Sequence, residues 1–356
     1  MIRKRKVHRF LSKLSWSLII WILGAFLFGF IRVWGNDSLP AFERVLEFKP
    51  VQFSFEMLVL GLAIGIPFGI MDYVLDTKWI RHRSYWKIIL IKVVIQVFIA
   101  IFSLAILVIY TNTIEDDMVS MMSLIFSETS LLWIVFTGII SFILYFLEVV
   151  KSKIGDRVMF NLIMGKYHNP RIETRIFMFL DMKDSTTHAE NLGHIKFSSL
   201  IQDSFNDLTS ALIEHRVEVY QYVGDEAVLT WNLSDGFKNA NCLQVYFAFQ
   251  NALKSKREYY ENKYGFVPFF KAGVHLGDVT VSEVGIIKRE IAYHSDVLNT
   301  AARIQGKCNE FEAELLISEQ LKDNLDDHKF FKFQQIGGIS LKGKHQLVNI
   351  FKVNLN

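Results

Sequence analysis

Two aspartates stand where carboxylates can do chemistry. Asp181 ends the apolar run Ile176-Phe177-Met178-Phe179-Leu180, and Asp225 sits in the turn Tyr222-Val223-Gly224-Asp225-Glu226 between two further apolar runs. Fully apolar runs read as buried strands and Gly-Asp between such runs as a hairpin, so Asp181 and Asp225 can sit side by side on adjacent strands. Paired strands lie about 4.8 Å apart, close enough for two carboxylates to share divalent cations. A Mg²⁺ pair would relieve their repulsion while clamping a nucleoside triphosphate. A surface turn beside an unrelated strand-end Asp would carry the same residues.

Three other stretches bear on the same chemistry. In His294-Ser295-Asp296-Val297-Leu298-Asn299-Thr300-Ala301-Ala302-Arg303, Ser295 or Asp296 can cap a helix, and Asn299 and Arg303, four apart, share one face. An amide and a guanidinium on one face suit a ribose and a phosphate, although a solvated helix face can carry the same pair. Ile339-Ser340-Leu341-Lys342-Gly343-Lys344 is a glycine turn whose two lysines can reach a polyphosphate tail. Gly273-Val274-His275-Leu276-Gly277-Asp278 reads as a hairpin turn whose glycines permit close backbone packing.

The elements that must position these residues alternate. The pattern predicts strand 175–181, helix 186–215, strands 217–223 and 227–232, helix 237–262, strands 267–275 and 278–284, helix 296–308, strand 314–317 and a terminal strand pair near 330–335 and 347–353. This β-α-β-β-α-β order suits an α+β, ferredoxin-like split sheet with helices on one face, and fold alone does not decide function.

The amino-terminal half is of another kind. A hydrophobic share of 51% in 356 residues is high for a purely soluble chain. Four runs carry the excess: Leu14 to Ile31, Met57 to Leu75, Ile88 to Tyr110 and Leu131 to Val150. Each is long enough to cross a hydrocarbon core of roughly 30 Å as a helix. Basic residues gather before the first run, at Lys78, Arg81, Arg83 and Lys87, and at Lys151, Lys153 and Arg157. The loop with Glu115, Asp116, Asp117 and Glu128 has none, so four transmembrane helices with both ends cytoplasmic are expected. Asp72, Lys92 and Glu148 read as interfacial charges. Cys242 and Cys308 then lie on the reducing side, and no disulfide is expected. The net charge of +3 follows from loop topology and gives no ground for a nucleic-acid partner. The domains are expected to be 1–150, the membrane part; 151–171, a helical linker; and 172–356, the cytoplasmic part. In the linker, Ile154, Val158 and Leu162, with Met159 and Ile163, form an apolar stripe read as a seam with a second copy, ended by Asn169-Pro170.

Taken together, Phe179-Leu180-Asp181-Met182-Lys183-Asp184-Ser185-Thr186, Val223-Gly224-Asp225-Glu226-Ala227, Asp296 to Arg303 and Leu341-Lys342-Gly343-Lys344 resemble, in order and rough spacing, the class III nucleotidyl cyclase catalytic domain, over about residues 165 to 356. The resemblance is to the membrane-tethered bacterial adenylate and guanylate cyclases. It implies a homodimer with sites at the subunit interface, in the plasma (bacterial inner) membrane with the catalytic domain in the cytoplasm. It further implies two Mg²⁺ or Mn²⁺ ions per site on Asp181 and Asp225, a ribose-orienting Asn299, a transition-state Arg303 and a triphosphate-holding Lys342, with Lys344 beside it. Two base-reading positions depart from the family pattern: Gln221 stands where adenylate-specific members carry lysine, and Ala292 where they carry aspartate or threonine. The glutamate and cysteine of the guanylate type are absent too. ATP is the expected substrate, with GTP or a pyrimidine triphosphate as competitors. A catalytically inactive cyclase-like receptor module and a diguanylate cyclase, whose signature Val223-Gly224-Asp225-Glu226 faintly echoes, are the rival readings.

Overall fold

The computed structural model describes residues 2–34, 49–75, 85–114, 128–287, 289–325, 330–340 and 347–356, in two units, Met1–Lys153 and Ile154–Asn356.

The first unit consists of helices α1 (Ile2–Trp34), α2 (Pro50–Leu75), α3 (Tyr85–Ile114) and α4 (Glu128–Ile154). Each contains a stretch long and apolar enough to cross a membrane, from 19 residues in α1 to 26 in α2. α2 presents Gly61, Gly65 and Gly69 at four-residue spacing, and α1 lies against them. A Cβ there would fall 2.7, 3.3 and 3.2 Å from the Cα atoms of Ile22, Leu18 and Leu14, the close backbone approach that small residues permit between apolar helices. The charges read as interfacial pair with one another. Lys13 Nζ lies 3.1 Å from Asp72 Oδ2, and Lys92 Nζ lies 3.0 Å from Asp72 Oδ1 and 2.9 Å from Glu148 Oε2, so one ionic chain links all four helices.

The second unit opens with α5 (Asp156–Ile163). The sequence predicts that this helix continues directly from the fourth span. Instead Gly155, at φ 92, separates the two, a backbone state glycine enters without steric cost. The elements that follow are β1 (Arg171–Met182), α6 (Ser185–Glu214), β2 (Glu218–Val223), β3 (Glu226–Asn232), α7 (Asn241–Ser255) and α8 (Arg257–Tyr264). After them come β4 (Phe270–Val284), β5 (Glu290–His294), α9 (Asp296–Gly306), β6 (Leu315–Ser318), α10 (Glu319–Asp323), β7 (Phe331–Ser340) and β8 (Leu347–Leu355). They form one sheet in the order β2-β3-β1-β4-β6-β8-β7, with β5 paired to β4.

Residues 176–180 of the central strand β1 are all apolar because both faces of the strand are covered there. Ile176, Met178 and Leu180 join Leu200 and Leu208 of α6 and Leu243 and Phe249 of α7 in one buried cluster. Phe177 points the other way, into a cluster with Val279 and Val281 of β4 and Val297 and Ala301 of α9. Helices therefore lie on both faces, and the expectation of one helical face is corrected: α9 forms the second layer.

The glycines of β4 explain how. The hairpin turn predicted within residues 273–278 does not exist, and β4 is one strand of 15 residues. A Cβ at Gly273 would meet the backbone nitrogen of Gln305 at 2.2 Å, and one at Gly277 would meet Val297 Cγ2 at 2.5 Å. Gly273 and Gly277 thus form the bed on which α9 rests. The hairpin partner of β4 is β5, a strand the sequence pattern did not reveal, with Ser282 opposite Ala292. The helix predicted over 237–262 breaks into α7 and α8 at Lys256, whose φ of −109 is not helical.

Candidate active site

Strand register brings the expected carboxylates together. Asp181 lies opposite Glu226 of β3 and opposite Lys271 of β4, and Asp225 occupies the turn between β2 and β3, where Gly224 takes φ 61. Burial, and then the charge of Asp225 and a hydrogen bond with its carboxyl, push the Asp181 carboxyl up to about 7; Glu226 adds to the rise and Gln305 opposes it. Gln305 Nε2 donates to Asp181 Oδ2 at 3.2 Å. A divalent cation beside Asp181 would relieve this repulsion and favour its ionised form.

Hard oxygen donors of this kind fit Mg²⁺ or Mn²⁺. Among the described residues no group of three or more His, Cys, Asp or Glu side chains gathers to hold a metal ion. Two carboxylates alone leave the remaining coordination positions to solvent and substrate phosphates, as is usual for Mg²⁺.

A cavity of about 400 Å³ adjoins Asp181, lined also by Lys183, Thr186, Lys271, Gln305 and Asn309 among others. Sequence reasoning missed Lys271 and Gln305. Lys271 is only 7% exposed, and the signal that could have found it is a lone cation inside the apolar run Phe269-Phe270-Lys271-Ala272. Opposite it the chain turns from β1 into α6 through Asp184, at φ 55, whose side chain makes no capping hydrogen bond. The first N–H groups of α6 thus head toward the cavity without a side-chain cap, an arrangement suited to anions.

α9 is set by Ser295, whose Oγ accepts from Val297 N at 3.1 Å and donates to the Asp278 carbonyl at 2.8 Å. Val297, Thr300, Ala301 and Ile304 form its buried face. Asn299 and Arg303 fall on the exposed face. At 100° per residue Arg303 points about 200° away from Gln305, and the cavity is lined without Asn299 or Arg303. One chain therefore brings together Asp181, Asp225, Lys271 and Gln305 and holds Asn299 and Arg303 on a different surface.

Gln221 is exposed on β2, opposite Val228 and next to a register shift. Ala292 lies on β5. Their neighbours Tyr220 and Tyr293 meet edge to face at 5.0 Å, and Tyr293 also meets Phe177 at 5.2 Å, so the two strands converge over β1. Lys342 and Lys344 lie outside the described residues.

Comparison with known proteins follows this geometry. Residues 168–353 match the family described as the adenylate and guanylate cyclase catalytic domain. Adenylate cyclase 2 of Rhizobium meliloti (strain 1021) is 28% identical over 204 residues, covering 57% of this chain and 56% of the relative. An adenylate cyclase of Anabaena cylindrica is 26% identical over 184 residues, covering 49% and 36%. The chain thus matches about half of the first relative and about a third of the second. A solved bacterial light-regulated adenylyl cyclase shares the fold, with a TM-score of 0.54 at 16% identity over 65% of this chain and 67% of that one. On the match across more than half its length, the chain belongs to the adenylate and guanylate cyclase catalytic domain family.

Proposed function

We propose that the protein is a membrane-anchored nucleotidyl cyclase that works as a homodimer and converts a nucleoside triphosphate, ATP before the others, to the 3′,5′-cyclic mononucleotide and pyrophosphate. The observation that carries the reading is the contact between the Asp181 and Asp225 carboxyls beside a cavity lined by the buried Lys271. Four helices of spanning length support the membrane anchor, and the basic residues at both ends of the helical unit favour a cytoplasmic catalytic unit. The names of both relatives support ATP. Gln221 would read the base through an amide that both donates and accepts, which leaves GTP, CTP and UTP as competitors.

In the reaction the ribose 3′-oxygen attacks the α-phosphorus. One O–P bond forms, the bond from the α-phosphorus to the pyrophosphate oxygen breaks, and the 3′-hydroxyl proton passes to solvent. Asp181 and Asp225 would hold two divalent cations, Mg²⁺ or Mn²⁺, which would supply a lowered pKa at the 3′-hydroxyl and Lewis acidity at the phosphoryl oxygens. Lys271 and the N–H groups at the start of α6 would neutralise the triphosphate, with Lys342 and Lys344 as further cations. The Arg303 guanidinium would meet charge building on the transferring phosphoryl, and the Asn299 amide would fix the ribose. The cavity beside Asp181 is lined without Asn299 and Arg303, which supports a second copy bringing them.

The test is incubation of the purified full chain with ATP, GTP, CTP and UTP separately, with Mn²⁺, and identification of products by mass. Cyclic AMP is expected to dominate, and Asp181→Ala or Asp225→Ala to reduce it to background. Mixing Asp181→Ala chains with Arg303→Ala chains rebuilds one intact site per heterodimer and is expected to restore turnover. A mixture that stays inactive although heterodimers form defeats the shared site, and no cyclic product from any triphosphate defeats the cyclase reading.

A further inference from the structure

One buried guanidinium ties together two strands that no hydrogen-bond ladder joins. β2 ends the sheet and pairs with β3, while β5 stands off the main path and pairs with β4. β3, β1 and β4 lie between them, so only side chains can bridge the two across the face of β1. These are the strands that carry Gln221 and Ala292.

Arg175 of β1 is 3% exposed, and its donors are taken up from three directions. Nε donates to Thr230 Oγ1 of β3 at 3.1 Å, Nη1 to Glu173 Oε2 at 3.2 Å and Nη2 to Glu218 Oε2 of β2 at 2.5 Å. Its Cζ lies 5.3 Å from the centre of the Tyr293 ring of β5, within reach of a cation–π contact. Two of these partners are themselves held: Thr230 donates to the Ile176 carbonyl at 3.0 Å, and Glu173 pairs with Lys166 at 2.7 Å. A planar fork satisfied on three sides has one orientation.

Aromatic rings complete the bridge. Tyr220 and Tyr293 pack with Phe177 in the cluster beneath Val297 and Ala301 of α9. Tyr220 is the extra residue of a β-bulge: Val219 faces Leu229 and Gln221 faces Val228, with nothing on β3 opposite Tyr220. A bulge re-aims the side chains beside it, and the Tyr220 ring is seated edge to face on Tyr293 at 5.0 Å. Burial pushes the Tyr293 hydroxyl well above its ordinary range; the Arg175 charge opposes the rise, and Glu218 and Glu173 add to it. Ring, guanidinium and both carboxylates thus form one neighbourhood.

We infer that Arg175 is a positioning residue for base recognition: by holding Glu218 on β2 and the Tyr293 ring on β5, it fixes the spacing at which Gln221 and Ala292 meet the base, and with it the preference between adenine and guanine. The inference rests on the cyclase reading, in which those two positions face the base. Arg175 acts through the strands and not by touching the nucleotide. A lysine in its place keeps the charge but offers one ammonium instead of a fork, so it cannot serve Thr230, Glu173 and Glu218 where they now stand.

The test uses the full chain in phosphatidylcholine nanodiscs with Mn²⁺. It reads the Kd values of ribose-labelled fluorescent (methylanthraniloyl) ATP and GTP, and kcat/KM for unlabelled ATP and GTP. Arg175→Lys is expected to move both ATP-to-GTP ratios toward unity by about 5-fold, the worth of one neutral hydrogen bond, through KM with little change in kcat. Glu218→Gln, which keeps the shape and removes the charge that Arg175 holds, is expected to move them the same way and serves where Arg175→Lys does not fold. A merely structural Arg175 would lower the unfolding midpoint and weaken both nucleotides alike. Ratios that stay within about twofold of the wild-type values in a folded variant therefore overturn the inference while leaving the cyclase reading intact. A wild-type chain that binds both labelled nucleotides and makes no cyclic product faults the catalytic reading, and the Kd ratio then decides the role of Arg175. Binding of neither nucleotide overturns both.

Discussion

Replacing Gly273 by alanine tests whether α9 is positioned by contact with β4. The added Cβ would lie 2.2 Å from Gln305 N, 2.6 Å from Gln305 Cα and 2.7 Å from the Ala301 carbonyl oxygen. All three are backbone atoms, so no rotamer change relieves the clash and the helix itself must move. Ordinary contact begins near 3.4 Å, which requires a displacement of about 1.2 Å. Overpacking of this kind costs roughly 1–3 kcal/mol, or about 3–10 °C in the unfolding midpoint of a unit this size. A misplacement near 1 Å at a site of precise chemistry costs about 10²-fold in rate. Gly277→Ala is expected to be milder, because the obstacle is one Val297 methyl that can rotate away. Gly306→Ala, at the end of the same helix with nothing within 4 Å, is expected to keep or slightly raise the midpoint. Thermal unfolding and steady-state turnover of the three variants give the order. If Gly273→Ala unfolds within a degree of the parent and turns over at the same rate, the close seat of α9 is wrong.

Other perturbations address the charges. Lys271→Met should lower kcat/KM for the triphosphate by about 10²-fold while the protein stays folded; a change under threefold would remove Lys271 from the site. Asp225→Asn should abolish turnover and yet raise the unfolding midpoint at pH 8 without divalent cations by about 2–4 °C, because the Asp181 carboxyl, raised to about 7, is ionised there and repelled by its neighbour. A lower midpoint would contradict the carboxyl contact. Glu173 should contribute to acid lability. Burial works to raise its pKa, but hydrogen bonds from Lys166 and Arg175 outweigh it and hold the carboxyl below its ordinary 4.5. A depressed folded pKa gives stability that is complete above the unfolded value and lost as pH falls through the folded one. Glu173→Gln should therefore flatten the fall in midpoint below about pH 4.5; an unchanged slope would show that the network does not titrate on unfolding.

What the sequence discloses about the site divides by how local the information is. Asp181 and Asp225 are legible because a strand end and a Gly-Asp turn are short-range features, and β1 with β3 is close in sequence. The four helices are legible because a hydrocarbon core demands a long uninterrupted apolar run. Lys271, β5 and the second helical layer are not local. Lys271 reaches Asp181 through a register set across about 90 residues, and Gly273 and Gly277 read as a turn until α9 is seen to rest on them. The alternation that marks a half-buried strand is erased in β4 and β1 because both faces are covered, so periodicity could not tell which residues face the cavity.

The same covering has a chemical consequence. A sheet face occupied by α9 over Gly273 and Gly277 leaves the Asp181 end of β1 open only at the edge of that helix, where Gln305 touches the carboxylate. Gln305 thus bears on the carboxylate from one side of α9 while Arg303, two residues earlier, faces outward from the other. In the proposed homodimer a rigid helix would in this way serve two sites at once, bracing the carboxylate of its own chain and carrying a guanidinium to the neighbour's. Gln305→Ala should then affect the carboxylate's own chain, and Arg303→Ala the opposite site. In heterodimers in which one chain carries Asp181→Ala, Gln305→Ala placed in that same chain should leave the surviving site at full rate. Placed in the other chain, it should slow that site, and equal rates from the two arrangements would refute the division of labour along α9.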